Sequence, residues 1–185
     1  MDMIKKDLHA DVISLPYIFY QKKIYRRISN LRGTYRLMRA LKNLAKTGLE
    51  EVDEQPESIF DRGDWDNLLI LDACRYDFYR ELKGETAKRV TLGSNSPEFI
   101  EKTFSEGTYE DIVYITGNPH FSRGIFKDLT GREPGKVFHE VYNTYDTDWD
   151  EDNGVVMPEA LVRDTLNAEK LFPGKRKIVH FMQPH

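Results

Sequence analysis

The chain has 185 residues, 39% hydrophobic and 31% charged, with a net charge of −4. That length accommodates one domain with a real core plus an appendage, and that composition excludes a disordered body. The negative balance argues against a nucleic-acid partner, and the single cysteine, Cys74, excludes an intramolecular disulfide and a cysteine-based zinc knuckle and suggests a reducing, cytoplasmic compartment.

Residues 1–60 read as a helical N-terminal appendage, ahead of an α/β domain over 61–185. Met1 to Asp11 is charged and has no secretory pattern; Val12 to Tyr20 is apolar but short, and Pro16 interrupts it. No stretch reaches membrane-spanning length. Ile24, Ile28, Leu31, Tyr35, Met38, Leu41 and Leu44 then recur at helical steps, and Lys22 to Lys46 carries nine Lys/Arg and no acid. Such a basic amphipathic segment, residues 22–46, either touches an anionic membrane surface peripherally or packs on its own domain with a solvated basic face. Glu50 to Asp66, acidic and holding Pro56 and Gly63, suits a linker.

Leu68 to Leu71 is a short, continuous apolar run, the pattern of a strand buried on both faces. Tyr76 to Leu82 follows as a helix. Lys88 to Leu92 reads as a second strand, Pro97 to Phe104 as a helix, and Asp111 to Thr116 as a third strand. Gly124 to Gly135 is ambiguous, with room for one helical turn. Lys136 to Tyr142 reads as a fourth strand, and the acidic stretch Asp146 to Asp152 as a loop. Pro158 to Leu171 is a helix opened by proline and closed before Pro173-Gly174, and Lys177 to Met182 is a fifth strand. Strands alternating with helices predict a doubly wound, mostly parallel sheet of about five strands.

In such sheets ligands bind beyond the carboxyl ends of the strands. Asp72, Ser96, Asn118 and His185 each follow a predicted strand, so parallel strands would bring all four to one edge. Asp72 can also be read as a helix cap. Ser96, directly before Pro97, falls at a helix N-cap, where free backbone N–H groups favour phosphate or sulfate and stabilise a serine alkoxide. Asn118 and His120 follow the third strand, in what is equally a common turn. His180, flanked by apolar residues, reads as a core histidine.

Four segments carry a resemblance. Leu68-Leu-Ile-Leu-Asp72-Ala-Cys-Arg-Tyr-Asp77 resembles the opening strand of the alkaline phosphatase superfamily in its sulfatase-like branch. Gly93-Ser-Asn-Ser96-Pro-Glu-Phe99 resembles the nucleophile turn of archaeal sulfatase-like proteins. Val113-Tyr-Ile-Thr-Gly-Asn118-Pro119 resembles their third strand, and His180-Phe-Met-Gln-Pro-His185 the Pro-His segment of sulfatases. The resemblance implies a metal-dependent hydrolase or transferase of phosphate or sulfate esters. In it Asp72 is a metal ligand, Ser96 the nucleophile, and Asn118 and His185 bind substrate. The metal would be zinc, calcium or manganese, and the substrate an ester on a glycan or a lipid head group. The sulfatase Cys-x-Pro-Ser-Arg segment is not present, so a seryl ester is the expected intermediate. The family's remaining metal ligands lie beyond the Pro-His segment, so the chain is expected to hold only the N-terminal part of that fold. The alternative is a catalytically incomplete domain that binds or scaffolds. A Rossmann-type nucleotide binder is the weakest reading, because the turn after Asp72 has no Gly-x-Gly-x-x-Gly.

Overall fold

A computed structural model describes residues 10–14, 55–62, 65–84 and 90–183. The basic segment 22–46 and His185 lie outside the described residues, and with them the membrane contact and one substrate contact expected above. Among the described residues no helix is long and apolar enough to cross a membrane.

The protein is mixed α/β, built on a mostly parallel sheet with a small antiparallel pair beside it. The strands are β1 (Ala10–Ser14), β2 (Asn67–Leu71), β3 (Tyr109–Thr116), β4 (Phe138–Asn143), β5 (Trp149–Asp150), β6 (Val155–Val156) and β7 (Arg176–Phe181). The helices are α1 (Tyr76–Lys83), α2 (Ser96–Phe104), α3 (Arg123–Thr130), the single turn α4 (Tyr145–Asp148) and α5 (Pro158–Leu171). The main sheet runs β1-β2-β7-β3-β4 with every neighbouring pair parallel, and β5 pairs antiparallel with β6.

Successive side chains on a strand point to opposite faces, and the core divides accordingly. Leu68, Ile70, Ile112, Tyr114 and Ile178 face one cluster, which α2 and α3 close with Phe99, Ile100, Phe104 and Phe126. Val113, Ile115 and Val179 face the other, which α5 closes with Leu161 and Ala168. The apolar runs are continuous because both faces are covered.

Four expectations need correction. The helical reading of residues 1–60 fails where that span is described: Ala10–Ser14 is a strand in register with Asn67–Leu71, and Ile59 is part of the first core cluster. The α/β body therefore takes in part of the expected appendage. No strand forms over the described part of Lys88–Leu92; Thr91 makes an isolated bridge to Glu57, and its hydroxyl donates to the Gly93 carbonyl (2.7 Å), bending the chain out of extension. Helix α3 runs for two turns, because Phe126 and Thr130 bury one of its faces and Gly131, in the left-handed region at φ 74°, ends it. The acidic stretch is not simply a loop: it holds α4 and the β5–β6 hairpin, with Asp148 gripped by both terminal nitrogens of Arg163 (2.8 Å each).

Candidate functional site

Strands β2, β7 and β3 lie side by side and end together. The N–H of Asp72, just past β2, donates to the Phe181 carbonyl (3.0 Å), and the N–H of Gly117, just past β3, donates to the His180 carbonyl (3.1 Å). Both lip residues are thereby stitched to β7 from opposite sides.

Ser96 sits opposite them, though not as the expected N-cap. Asn95 is the cap: its side chain accepts the Glu98 N–H (3.0 Å), and Ser96 is the first helical residue. Glu98 reaches back to accept from the Ser94 N–H (3.0 Å) and hydroxyl (2.6 Å). This Asn-x-x-Glu arrangement is close to a capping box and satisfies the helix start by itself. The Ser96 hydroxyl is therefore free to donate to Asp72 Oδ2, at 2.7 Å. The turn depends on Gly93, where a Cβ would lie 2.2 Å from the Phe99 nitrogen and 2.5 Å from its Cα. Backbone cannot yield as a flexible side chain can. Gly93→Ala is expected to destabilise the protein by about 1–3 kcal/mol, the usual cost of overpacking, and urea titration checks it.

Asn118 is 2% exposed and completes the group. Its Nδ2 donates to Asp72 Oδ2 (2.7 Å), and its Oδ1 accepts from the backbone N–H of His120 (2.9 Å). A carboxylate only accepts and a backbone N–H only donates, so the amide has one orientation. His120 Nδ1 lies 2.9 Å from the same Oδ1 and must carry its proton there.

Asp72 and Ser96, 24 residues apart in the chain, thus meet with Asn118 at one edge of the sheet. Sequence reasoning missed what stands behind them. His180, fully buried, lies with Nε2 3.5 Å from Asp72 Oδ2 and Nδ1 2.9 Å from the Tyr114 hydroxyl. The one signal was a histidine flanked by apolar residues, and only the pairing of β7 with β2 and β3 sets it level with the lip.

Burial pushes the Asp72 carboxyl up, but the opposing pull of His180, Ser96 and His120 is greater, and the group is held below its ordinary value. Burial also lowers His120, against the pull of Asp72, and raises the Tyr114 hydroxyl well above the usual range. For Glu98, burial is likewise outweighed, here by Lys102 and Ser94, and its carboxyl falls from 4.5 to about 2. A carboxyl lowered on folding adds stability above its unfolded value, and that stability is lost as pH falls through the folded one. Glu98→Gln is therefore expected to flatten the loss of stability between pH 4.5 and about 2, read from urea midpoints across that range.

A catalytic divalent ion needs about three or more protein ligands. Among the described residues no group of three His, Cys, Asp or Glu comes together that could hold one. Asp72 is the one described member of the implied metal site, and the described residues by themselves do not fit a complete one. No family model, curated protein or solved structure matches the chain.

Proposed function

We propose that this edge of the sheet cleaves phosphate or sulfate esters through a covalent ester on Ser96. The observation that carries the reading is the Ser96 hydroxyl: relieved of capping by Asn95, it stands on the first turn of α2 and donates to Asp72 across the lip. The helix dipole favours an anionic group there. We further read the main sheet as five-stranded and doubly wound, with β7 inserted between β2 and β3; its helices on both faces support this, and so does a site at strand carboxyl ends.

In the first step Ser96 Oγ bonds to phosphorus or sulfur, the bond to the leaving oxygen breaks, and the serine proton ends on the leaving alcohol. Asp72, held below its ordinary value, is a weak base; it orients the hydroxyl and does not keep the proton. In the second step water attacks the seryl ester, frees phosphate or sulfate and restores the hydroxyl. Asn118 fixes Asp72 and lines the lip. A divalent zinc, calcium or manganese ion belongs to the proposal, with Asp72 as its described ligand. The resemblance to the alkaline phosphatase superfamily supports the same reading.

The test is release of nitrophenolate from p-nitrophenyl phosphate and sulfate, with each metal added in turn, together with a search by mass for phosphoryl or sulfuryl on Ser96. Turnover that survives Ser96→Ala would remove the serine from its role. A second reading, a non-catalytic binding or scaffold domain, is favoured by one observation: the Ser96 and Asn118 bonds to Asp72 form a polar network that ties α2 and the loop after β3 to the end of β2. It predicts no turnover under any of these conditions.

A further inference from the structure

The three side chains that approach Asp72 all approach the same oxygen. Ser96 and Asn118 each lie 2.7 Å from Oδ2, and His180 Nε2 lies 3.5 Å from it. Oδ1 has no partner among the described residues, and the side chain keeps 16% of its surface exposed. A carboxylate rotates easily about its last torsion and exchanges its oxygens. Donors arriving from α2 and from the loop after β3 hold it by Oδ2 and leave Oδ1 to the lip.

The proton inventory of His180 follows. Its Nε2 is sealed from solvent with no hydrogen bond, and the polar atom it faces is a carboxylate oxygen, which has no proton to give. The ring therefore carries its hydrogen on Nε2. In the neutral ring Nδ1 then bears the lone pair, and the Tyr114 hydroxyl, fully buried and 2.9 Å away, donates to it. The other close groups are the rings of Tyr114 and Phe121, and the charged or titratable groups near His180 are Asp72 and His120.

We propose that Tyr114 and His180 form a buried positioning pair that holds a reserve hydrogen-bond donor for Asp72 Oδ2. When Ser96 attacks it gives up its hydrogen bond to Oδ2, and the carboxylate loses one of its two short partners. His180 Nε2–H, already aimed and just beyond bonding distance, closes on the vacated oxygen and keeps Oδ1 facing the lip. The carboxylate keeps the hydrogen on Nε2, and Tyr114 fixes the ring: its hydroxyl bonds Nδ1 and sets the angle at which Nε2–H faces Oδ2, so without that hydroxyl the ring is free to tilt away from the carboxylate. The inference rests on the reading of Ser96 as nucleophile for its catalytic consequence, but not for its geometry.

The experiment has two arms. Nitrogen-resolved NMR of the histidine rings is expected to show His180 as the Nε2–H tautomer in the native protein, and to show its Nδ1 resonance shifted by loss of the hydrogen bond in Tyr114→Phe, which removes only the hydroxyl. A native Nδ1–H tautomer, or a spectrum unchanged in Tyr114→Phe, overturns the pair whatever the turnover. In the second arm, Tyr114→Phe and His180→Phe each lower kcat about tenfold with KM unchanged, a cost of the order that small misplacements exact. The double variant falls no further than either single one, because the two residues act as a unit. Undiminished kcat in both single variants, or additive losses, overturns the catalytic role. Absence of any Ser96-dependent turnover in the native protein counts against the serine reading instead, and the NMR arm then decides the pair alone.

Discussion

Replacing Ser96 with alanine is expected to lower turnover of p-nitrophenyl phosphate or sulfate by about a thousandfold or more, the scale on which removing a nucleophile acts. The loss should fall on kcat, because the hydroxyl is the atom that bonds to the transferred group. The variant should remain folded. Ser96 takes no part in capping α2, since Asn95 and Glu98 hold the helix start without it. Asp72 keeps the bond from Asn118, so the structural cost is that of one hydrogen bond to a charged group, about 2 kcal/mol. Urea midpoint and kinetics measured on the same preparation separate the two effects. A large loss of stability with a proportionate loss of rate would assign Ser96 to the framework instead.

Phe104→Ala is expected to cost the most stability, about 3–5 kcal/mol. Phe104 is fully buried at the centre of the first core cluster, and its ring meets those of Phe99, Tyr114, Phe121 and Phe138 at 5.9, 5.7, 5.8 and 5.1 Å. All four of these contacts are edge-on at 70° or more, two of them at 87° and 89°, the arrangement in which a ring edge meets a ring face. No single neighbour can fill the space that a missing ring leaves. At an m-value of about 2 kcal/mol per molar urea, the midpoint falls by roughly 2 M. A fall under about 0.5 M would mean that the cluster closes over the gap. Phe104→Leu, which keeps most of the volume, should cost about 1 kcal/mol. Because Tyr114 lies against this ring and carries the hydroxyl that meets His180, loosening the core here also loosens the support behind Asp72.

The sequence by itself determined the elements whose signals are local. The apolar runs of β2, β3 and β7 mark strands buried on both faces, and α5 begins at Pro158 and ends at Leu171 as its proline and following Pro-Gly predict. It also set Asp72 and Asn118 just past strands that lie together, because position relative to a strand's end is a property of the chain alone; Ser96 meets them from the start of α2 and not from the end of the strand expected over Lys88–Leu92. Local signals failed where a competing local bond or a distant partner decided. Asn95 took the cap from Ser96 because both are good cap residues and only one can accept the Glu98 N–H. The stretch before Gly93 looked like a strand, but the Thr91 hydroxyl bends it out of extension. Ala10–Ser14 became a strand through its pairing with β2, a partner more than fifty residues away. His180 gave no sign of a role, because a histidine among apolar residues reads the same whether its ring meets core or carboxylate. Only the insertion of β7 between β2 and β3 decides that, since strand order fixes which side chains become neighbours, and the pattern within a strand records only which face is buried.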